Sequence, residues 1–443
     1  PICGDVVIEL SRIPFGTGTG LTSSECFTYD GADDNFRVGR NNYFYESCCS
    51  SAISSYNTYT SYSCNSSIIA SICSYNCCGR TNVILGGAYN SNCYSDASGI
   101  IAGDRNYIGY SNNYTVIAGG SRNSAFGFES YSNFIGAGRC GVLDYACEST
   151  ILAGCRNCIQ DSGCSGILSG RSNKIYTSQE STISGGRGNV VNSSIHSTIL
   201  GGYANCVVCS NDSAVISGYY NCLDTCSDSS LILGGESNCV RGGFDSFNSG
   251  PPYYNNYSCQ GRVDNSGIIL GRNHRMTCDV FESVIIGGIN NQICGTVILG
   301  PGGSSYRSCT SVVLGGNYNR ISNTRAGMIA VSESYDGRNR INKSCNSAII
   351  AHCSYEGARI CNSENSAIVG GYSYNNGYIC QSSNSFIAAG YDNRILLSDN
   401  AFVSGYNNNV CYNFASSIVG GYQNTVQETS YSSRSEEHTS ELQ

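Results

Sequence analysis

Cysteine is the residue type with the most obvious chemical potential in this chain. The 443 residues include 28 Cys but only 4 His. Thiolates either pair as disulfides or hold Zn²⁺, whose protein sites need four closely spaced Cys or His ligands. Two C-x-x-C pairs occur, Cys155/Cys158 and Cys206/Cys209, with no His close to either. The spacing therefore disfavours a metal site.

Several cysteines recur at one place in a repeat instead of clustering. Cys158, Cys206, Cys222 and Cys239 each directly follow an Asn. Adjacent strands lie ~4.8 Å apart, which is within the Cα range of a disulfide. In-register side chains project in parallel, however, and this fits the required torsion of ~90° poorly. We expect mostly thiols acting as small packing residues, with a minority of disulfides.

Other catalytic groups lack the spacing that chemistry requires. The acids are scattered without a repeated pair, and the Gly-Gly units recur too regularly to be phosphate loops. A Ca²⁺-binding nonapeptide array needs an Asp at a fixed place in every turn, and none occurs. The sequence therefore predicts a protein that is not an enzyme and takes no cofactor or metal ion.

Composition excludes two further classes of function. Charged residues make up 13% of the chain and the net charge is −8, without a basic stripe along the sequence, which argues against nucleic-acid binding. No apolar run approaches the ~20 residues of a membrane-spanning helix. Gly (54) and Tyr (33) are abundant and good helix formers are few, which favours an all-β chain.

One motif recurs along nearly the whole chain, as in VILGGAYN (83–90), TILGGYAN (198–205) and SIVGGYQN (417–424). Its closing Asn falls at 157, 173, 189, 205 and 221, in steps of 16. A short fixed period predicts the stacked rungs of a parallel β-solenoid, roughly two dozen of them between Asn42 and Asn424.

Two apolar columns run through the repeat. The first lies three residues before the motif Gly and comprises Ile84, Ile100, Ile117, Ile151, Ile167, Ile183, Ile199, Val215 and Ile232. The second lies two residues after the Asn and comprises Ile108, Ile159, Ile175, Val191, Val207, Leu223, Ile321 and Val426. β-Branched residues suit a buried strand, so two columns predict two short strands per rung, a flattened β-roll. Gly and Asn, the residues most tolerant of positive φ, mark the turn, and Gly141 in an Asn slot fits a left-handed position.

The residue after the first-column Ile points to the opposite face and is usually apolar as well. A strand that is apolar on both faces is buried on both, so the outer face needs an equally long and periodic partner. Self-association about a common axis supplies one, and we predict a homotrimer. The predicted contact face comprises Leu85, Ile101, Leu152, Leu168, Leu200, Ile216 and Leu233. A monomer with a slightly apolar surface is the alternative.

Three segments are predicted: a connector (1–35), the β-roll (36–430) and a disordered tail (431–443). Within the tail, RSEEHTSELQ (434–443) looks like a translated sequencing adapter, as expected for a fragment from an environmental assembly. An insertion at 240–265 interrupts the roll, and a long loop on a rigid scaffold is a common place for binding. Its candidate receptor contacts are Tyr253, Tyr254, Asn255, Asn256 and Tyr257, although an insertion without a role is equally compatible.

The S-x-I-x-G-G units followed by Asn-x-apolar, as in STILGGYANCV (197–207), resemble the head repeats of YadA-like trimeric autotransporter adhesins and β-roll segments of phage tail fibres. The resemblance covers about 36–426, and GTGTGLTSSECFTYDG (16–31) is similar to the connector before such tail-fibre repeats. It implies a left-handed parallel β-roll, threefold assembly and binding. Adhesin-head repeats are shorter than 16 residues and poor in Cys, so this chain departs from them.

These features together predict a structural or adhesive fibre protein, the shaft or head of a trimeric surface fibre. It would attach to a host glycan, a host protein or another surface, and would lie outside the cell on a phage virion or a bacterial surface. The alternative is a phage tailspike enzyme that degrades polysaccharide. Tyr residues that follow the Gly either stack on sugars or cover the turn as ladders. Ice binding would need a regular Thr array, which the repeat lacks.

Overall fold

The computed structural model describes residues 27–30, 35–110, 112–242, 262–295, 308–330, 333–334, 339–350, 353–354, 357–370, 372–373, 377–428 and 430–435. These residues form an all-β parallel solenoid of about 21 turns with rungs of about 16 residues, and none of them is helical. The chain divides into two compact units, Pro1–Gly188 and Asn189–Gln443, which are described in turn. The predicted parallel β-solenoid is confirmed.

In the first unit, each rung contributes one strand to each of two sheets. The strands of sheet 1 are Phe27–Asp30, Asn35–Arg40, Ser51–Tyr56, Ser67–Ile69, Ser71–Ile72, Val83–Ile84, Gly87–Ala88, Gly99–Ile100, Val116–Ile117, Phe134–Ile135, Thr150–Ile151, Gly166–Ile167 and Thr182–Ile183. Those of sheet 2 are Tyr43–Tyr45, Tyr59–Ser61, Tyr75–Cys77, Ser91–Cys93, Tyr107–Ile108, Ser124–Phe126, Val142–Asp144, Cys158–Gln160 and Lys174–Tyr176. Neighbouring rungs pair in parallel, except that Phe27–Asp30, within the predicted connector, pairs antiparallel with Asn35–Arg40.

The second unit repeats this arrangement. The strands of its sheet 1 are Thr198–Ile199, Ala214–Val215, Leu231–Ile232, Val263–Asp264, Gly267–Ile269, Val280–Phe281, Val284–Ile286, Ser308–Cys309, Val312–Leu314, Arg325–Ala330, Glu333–Ser334, Cys345–Ile350, Cys353–Ser354, Ala367–Val369, Tyr372–Ser373, Phe386–Tyr391, Phe402–Tyr406, Phe414–Val419 and Ser430–Ser435. Those of its sheet 2 are Val190–Asn192, Cys206–Val208, Cys222–Asp224, Cys239–Arg241, Arg275–Thr277, Gln292–Cys294, Arg320–Ser322, Arg340–Asn342, Arg359–Cys361, Tyr378–Cys380, Arg394–Leu396, Asn409–Cys411 and Thr425–Gln427.

The interior between the two sheets is filled by the two predicted apolar columns. In sheet 1, Ile151 lies in register with Ile167, and in sheet 2 Ile159 lies in register with Ile175. Ile159, Ile167 and Ile175 are completely buried, and Ile151 is 2% exposed. Burial of one such side chain contributes about 1.5–3 kcal/mol, so every rung adds a similar increment. The columns, and with them two strands per rung, are confirmed.

The motif Asn is an interior hydrogen-bonding residue. The Nδ2 of Asn157 donates to the carbonyls of Ala153 (2.9 Å), in its own turn, and Gly170 (3.2 Å), in the next rung. Its Oδ1 accepts the backbone N–H of Asn173, the next Asn in the column, at 3.1 Å. In the second unit, Asn205 donates in the same way to two glycine carbonyls and accepts from the N–H of Asn221. One buried amide thus satisfies three backbone groups that no strand ladder reaches.

The prediction that the Asn itself adopts the left-handed conformation is wrong. The positive φ angles of this turn belong to Gly170 (96°) and to the residue before the Asn, Ser172 (58°). Gly170 is required there because a Cβ would lie 2.3 Å from the Gly186 carbonyl. Gly141 does not have a positive φ either, so its slot requires no glycine. Asn is favoured by its side-chain amide, which bridges successive rungs.

Two serine columns line the opposite turn. Ser165 Oγ donates to the carbonyl of Gly163 (2.9 Å) and, at the same time, accepts the N–H of Ser181 (3.3 Å) in the next rung. Ser162 and Ser178 belong to the second column. The N–H of Ser178 donates to Ser162 Oγ, in the rung before it, at 3.1 Å. Small hydroxyl side chains therefore close a turn that is too tight for an apolar core.

Two predicted boundaries need correction. The insertion was placed at 240–265, but Cys239–Arg241 pairs with Arg275–Thr277, and Val263–Asp264 pairs with Val280–Phe281. Both ends of the predicted insertion are therefore part of the sheets, because they supply in-register ladder groups. Disorder was predicted for 431–443, yet the strand Ser430–Ser435 pairs in parallel with Phe414–Val419. Residues 436–443 lie outside the described residues.

Removal of the Asn amide should destabilise the roll. Asn157→Ala leaves three backbone groups without their partner, and we expect the free energy of unfolding to fall by on the order of 3 kcal/mol. Gly141→Asn should act in the opposite direction, by about 1 kcal/mol, because it supplies the missing amide and removes a flexible glycine. Urea unfolding followed by circular dichroism measures both changes. Equal losses of stability in the two variants would contradict the role assigned to the amide.

A histidine replaces the Asn at one rung of the second unit. The N–H of His274 donates to Asn238 Oδ1 (3.0 Å), and its Nδ1 accepts the N–H of Asn291 (3.1 Å), so the imidazole continues the ladder. The side chain is completely buried, and burial lowers the pKa of His274 to about 4. Its neutral form is the one that accepts this hydrogen bond.

This histidine should make stability depend on pH. Between about pH 6.5 and about pH 4 the unfolded chain binds a proton that the folded chain does not, so the free energy of unfolding should fall on acidification by roughly 3 kcal/mol. His274→Asn should abolish that loss, whereas the control His196→Asn changes an exposed residue. The measurement is urea unfolding at several pH values. An unchanged pH profile in His274→Asn would refute the assignment.

Candidate functional site

The outer face of sheet 1 in the first unit carries an exposed apolar column. Its members follow the inward Ile of their rung and therefore point away from the core. Leu85 is 42% exposed, Ile101 46%, Leu152 48% and Leu168 44%. These aliphatic side chains lie in two pairs of neighbouring rungs, with Ala118 and Gly136 at the same position in between, and they form the contact face that the sequence predicts.

The second unit has the same column over more rungs. Leu200 is 46% exposed, whereas Ile216 and Leu233 are half-buried. Further along, the column continues through residues that lie in direct register on neighbouring strands, in the order Ile269, Ile286, Leu314, Ala330, Ile350 and Val369. Leu200, Ile216, Leu233 and Ile286 follow from the sequence pattern, and strand register adds Ile269, Leu314, Ala330, Ile350 and Val369.

A second apolar column widens this face in the second unit. It consists of the residue before the inward Ile, and its members in register are Val284, Val312, Met328, Ala348, Ala367, Phe386 and Phe402. The rings of Phe386 and Phe402 stack with their centroids 5.8 Å apart. The face is thus two side chains wide, enough to pack against another sheet or helix.

In the first unit, sheet 1 has one side where its strands begin and another where they end, and these two edges carry opposite charges. Exposed acids precede the strands at one edge, namely Glu129, Glu148 and Glu180. Exposed arginines follow the strands at the other edge, namely Arg122, Arg139, Arg156, Arg171 and Arg187. Arg171 and Arg187 are direct neighbours in the ladder, although like charges at this spacing repel. The apolar face is therefore bordered by an acidic and a basic edge.

Tyrosines that follow the motif Gly form stacked ladders in the second unit. The rings of Tyr203 and Tyr219 lie 4.7 Å apart, and those of Tyr391 and Tyr406 lie 4.5 Å apart and nearly parallel. Tyr406 also stacks on Tyr422, with 4.9 Å between the centroids. Because the rings pack on each other along the turn, covering the turn is a sufficient structural role for these tyrosines. Sugar stacking on their exposed edges remains an expectation.

Two disulfides join neighbouring rungs, Cys77–Cys93 and Cys206–Cys222, each across 16 residues. Their Cα atoms are 4.5 and 4.6 Å apart, so the ladder spacing itself allows the bond. Most other described cysteines form no disulfide, in agreement with the sequence analysis. Within the described ranges, no three His, Cys, Asp or Glu side chains are grouped so as to hold a metal ion.

The predicted receptor contacts Tyr253, Tyr254, Asn255, Asn256 and Tyr257 lie outside the described residues. In the part of the chain that the structure describes, no helix is long and apolar enough to cross a membrane. No family model matches the sequence, and no curated protein matches it. The fold and its surfaces are therefore the basis for a functional assignment.

Proposed function

We propose that this chain is the shaft or head of a homotrimeric surface fibre that attaches its bearer to a host or another surface. The observation that carries the proposal is the apolar outer face of sheet 1, which recurs in most rungs, with Ala118, Gly136 and Ser184 at the remaining positions of the first unit. A β-solenoid is rigid along its axis because every rung is hydrogen-bonded to the next, which suits extension and multivalent presentation.

The apolar face supports self-association on energetic grounds. Its aliphatic side chains are already about half buried within one chain, so burial of the rest contributes about 1 kcal/mol each, and the contribution summed over the rungs of one chain is on the order of 10 kcal/mol before entropy costs. Soluble monomers rarely expose contiguous apolar patches beyond a few hundred Å². A second and third copy of the same chain match the face in length and in period.

The charged edges support a cyclic arrangement. In a ring, one edge of each protomer meets the opposite edge of the next, which is a heterologous contact. The acids Glu148 and Glu180 of one copy would then face Arg156 and Arg187 of its neighbour. Such complementarity steers association and suppresses wrong registers. An antiparallel face-to-face dimer would instead bring edges of like charge together.

Disulfides between rungs favour an oxidising compartment, as expected for an extracellular protein on a virion or a bacterial surface. The attachment partner would be a host glycan or protein. The resemblance to trimeric adhesin heads and tail-fibre β-rolls is consistent with this role. No specific observation among the described residues favours the tailspike alternative.

Acidic substitutions on the apolar face should dissociate the assembly. Leu152→Asp with Leu168→Asp places two charges in a buried contact, and we expect sedimentation to show 47.0 kDa monomers or loss of solubility. The matched control, Ser124→Asp with Tyr176→Asp, adds the same two negative charges to the outer face of sheet 2. A first variant that stays as fully assembled as the control would refute the contact face.

Charge exchange tests the ring separately. Glu148→Arg with Glu180→Arg makes both edges basic, and the trimer should weaken by about tenfold or more in its dissociation constant. Addition of Arg156→Glu and Arg187→Glu should restore it, because each exchanged position again faces a position of opposite charge, 148 opposite 156 and 180 opposite 187. Sedimentation equilibrium of both variants provides the measurement. If the fourfold variant is no tighter than the twofold variant, the edges do not meet.

A further inference from the structure

Folding assembles a column of arginines on the outer face of sheet 2 in the second unit. The column occupies the first residue of successive strands, and neighbours lie in direct register. Its members, in order, are Arg275, Gln292, Arg320, Arg340, Arg359, Tyr378 and Arg394. Five guanidinium groups thus occupy seven rungs of a chain whose net charge is −8.

No carboxylate lies within these strands to compensate the charge. The second outward column of the same strands is neutral, and its members are Thr277, Cys294, Ser322, Asn342, Cys361, Cys380 and Leu396. The contrast is Arg241, in the preceding strand of the sheet, whose Nε lies 3.3 Å from the carboxylate of Asp224 in the rung before it.

Three members of the column, Arg320, Arg340 and Arg359, occupy consecutive rungs. The Nε atoms of Arg320 and Arg359 are buried, so the terminal N–H groups are the donors that a ligand could reach. Like charges in consecutive rungs ~4.8 Å apart repel each other, and an anion that lies above them relieves the repulsion. Carboxylate and sulfate groups fit this need because Arg binds them through paired N–H donors.

An open pocket of about 390 Å³ lies on the column. Arg359, Tyr378, Arg394 and Asn409 line it, together with Leu396 and Cys411. Hydrogen bonding with Cys361 and Cys380 raises the pKa of Tyr378, and its hydroxyl is a neutral group at physiological pH. An aromatic ring between two arginines offers a stacking surface for a sugar ring beside two anion-binding groups.

We propose that this arginine column is the binding site for an acidic polysaccharide, whose carboxylate or sulfate groups follow the rungs along the sheet. As a receptor contact, the site rests on the proposed attachment function and names its ligand class. The column lies on the sheet opposite the proposed trimer face, so it stays accessible in a trimer. A polysaccharide is favoured over nucleic acid because the column contains a single aromatic residue, whereas a single-stranded nucleic acid is bound by stacking of successive bases on several.

Binding of polygalacturonate to the full chain, measured by calorimetry or affinity electrophoresis, tests the site. The variant Arg340→Gln, Arg359→Gln, Arg394→Gln should bind about tenfold more weakly or worse, and binding by the unmutated protein should weaken with added salt. The matched control, Arg262→Gln, Arg272→Gln, Arg325→Gln, removes the same charge from exposed arginines off the column and should retain affinity.

Three outcomes would overturn the site: no binding of polygalacturonate, equal losses in both triple variants, or binding of oligodeoxythymidylate in preference to polygalacturonate. Neutral dextran should not bind, and its binding to the same extent would also count against the arginines. Sedimentation of the same samples separates this proposal from the fibre. A trimer that does not bind overturns the column alone, whereas a monomer that binds overturns the trimer alone.

Discussion

The buried asparagine amide is the interaction on which the rest of the structure depends. The turn after each sheet 1 strand leaves backbone carbonyls and an N–H that no neighbouring strand satisfies. One side chain, as at Asn157 and Asn205, donates to two carbonyls and accepts one N–H, and so connects each rung to the next. A buried polar group without such partners would cost about as much as one buried aliphatic side chain contributes. Only a fixed period keeps every amide in reach of its acceptors.

This polar requirement explains where the apolar residues go. Asn and Ser occupy the two turns, so the interior has room for one apolar side chain per strand, such as Ile167 and Ile175. Additional aliphatic residues cannot enter, and they stand on the outer face of sheet 1, as at Leu152 and Leu168. The proposed trimer buries that surplus, while the outer face of sheet 2 remains available for polar and charged columns.

Much of the fold could be predicted because its signals are periodic. Spacing alone located both interior columns and the outer face, since a strand alternates its side chains between two sides. The role of the Asn was misjudged because tolerance of positive φ and a buried amide leave the same mark in a sequence. The arginine column was missed for another reason. Its members are separated by 16 or more residues, with no local cluster, and become neighbours only through strand register.

The most direct test of the central claim, that the outer face of sheet 1 is buried between copies, is the mass of the unmutated protein. Sedimentation equilibrium or mass photometry at submicromolar concentration should give three times the chain mass of 47.0 kDa, with no salt concentration at which a soluble monomer predominates. A monodisperse, soluble particle of 47.0 kDa would contradict the account, because the apolar face would then be stable in water.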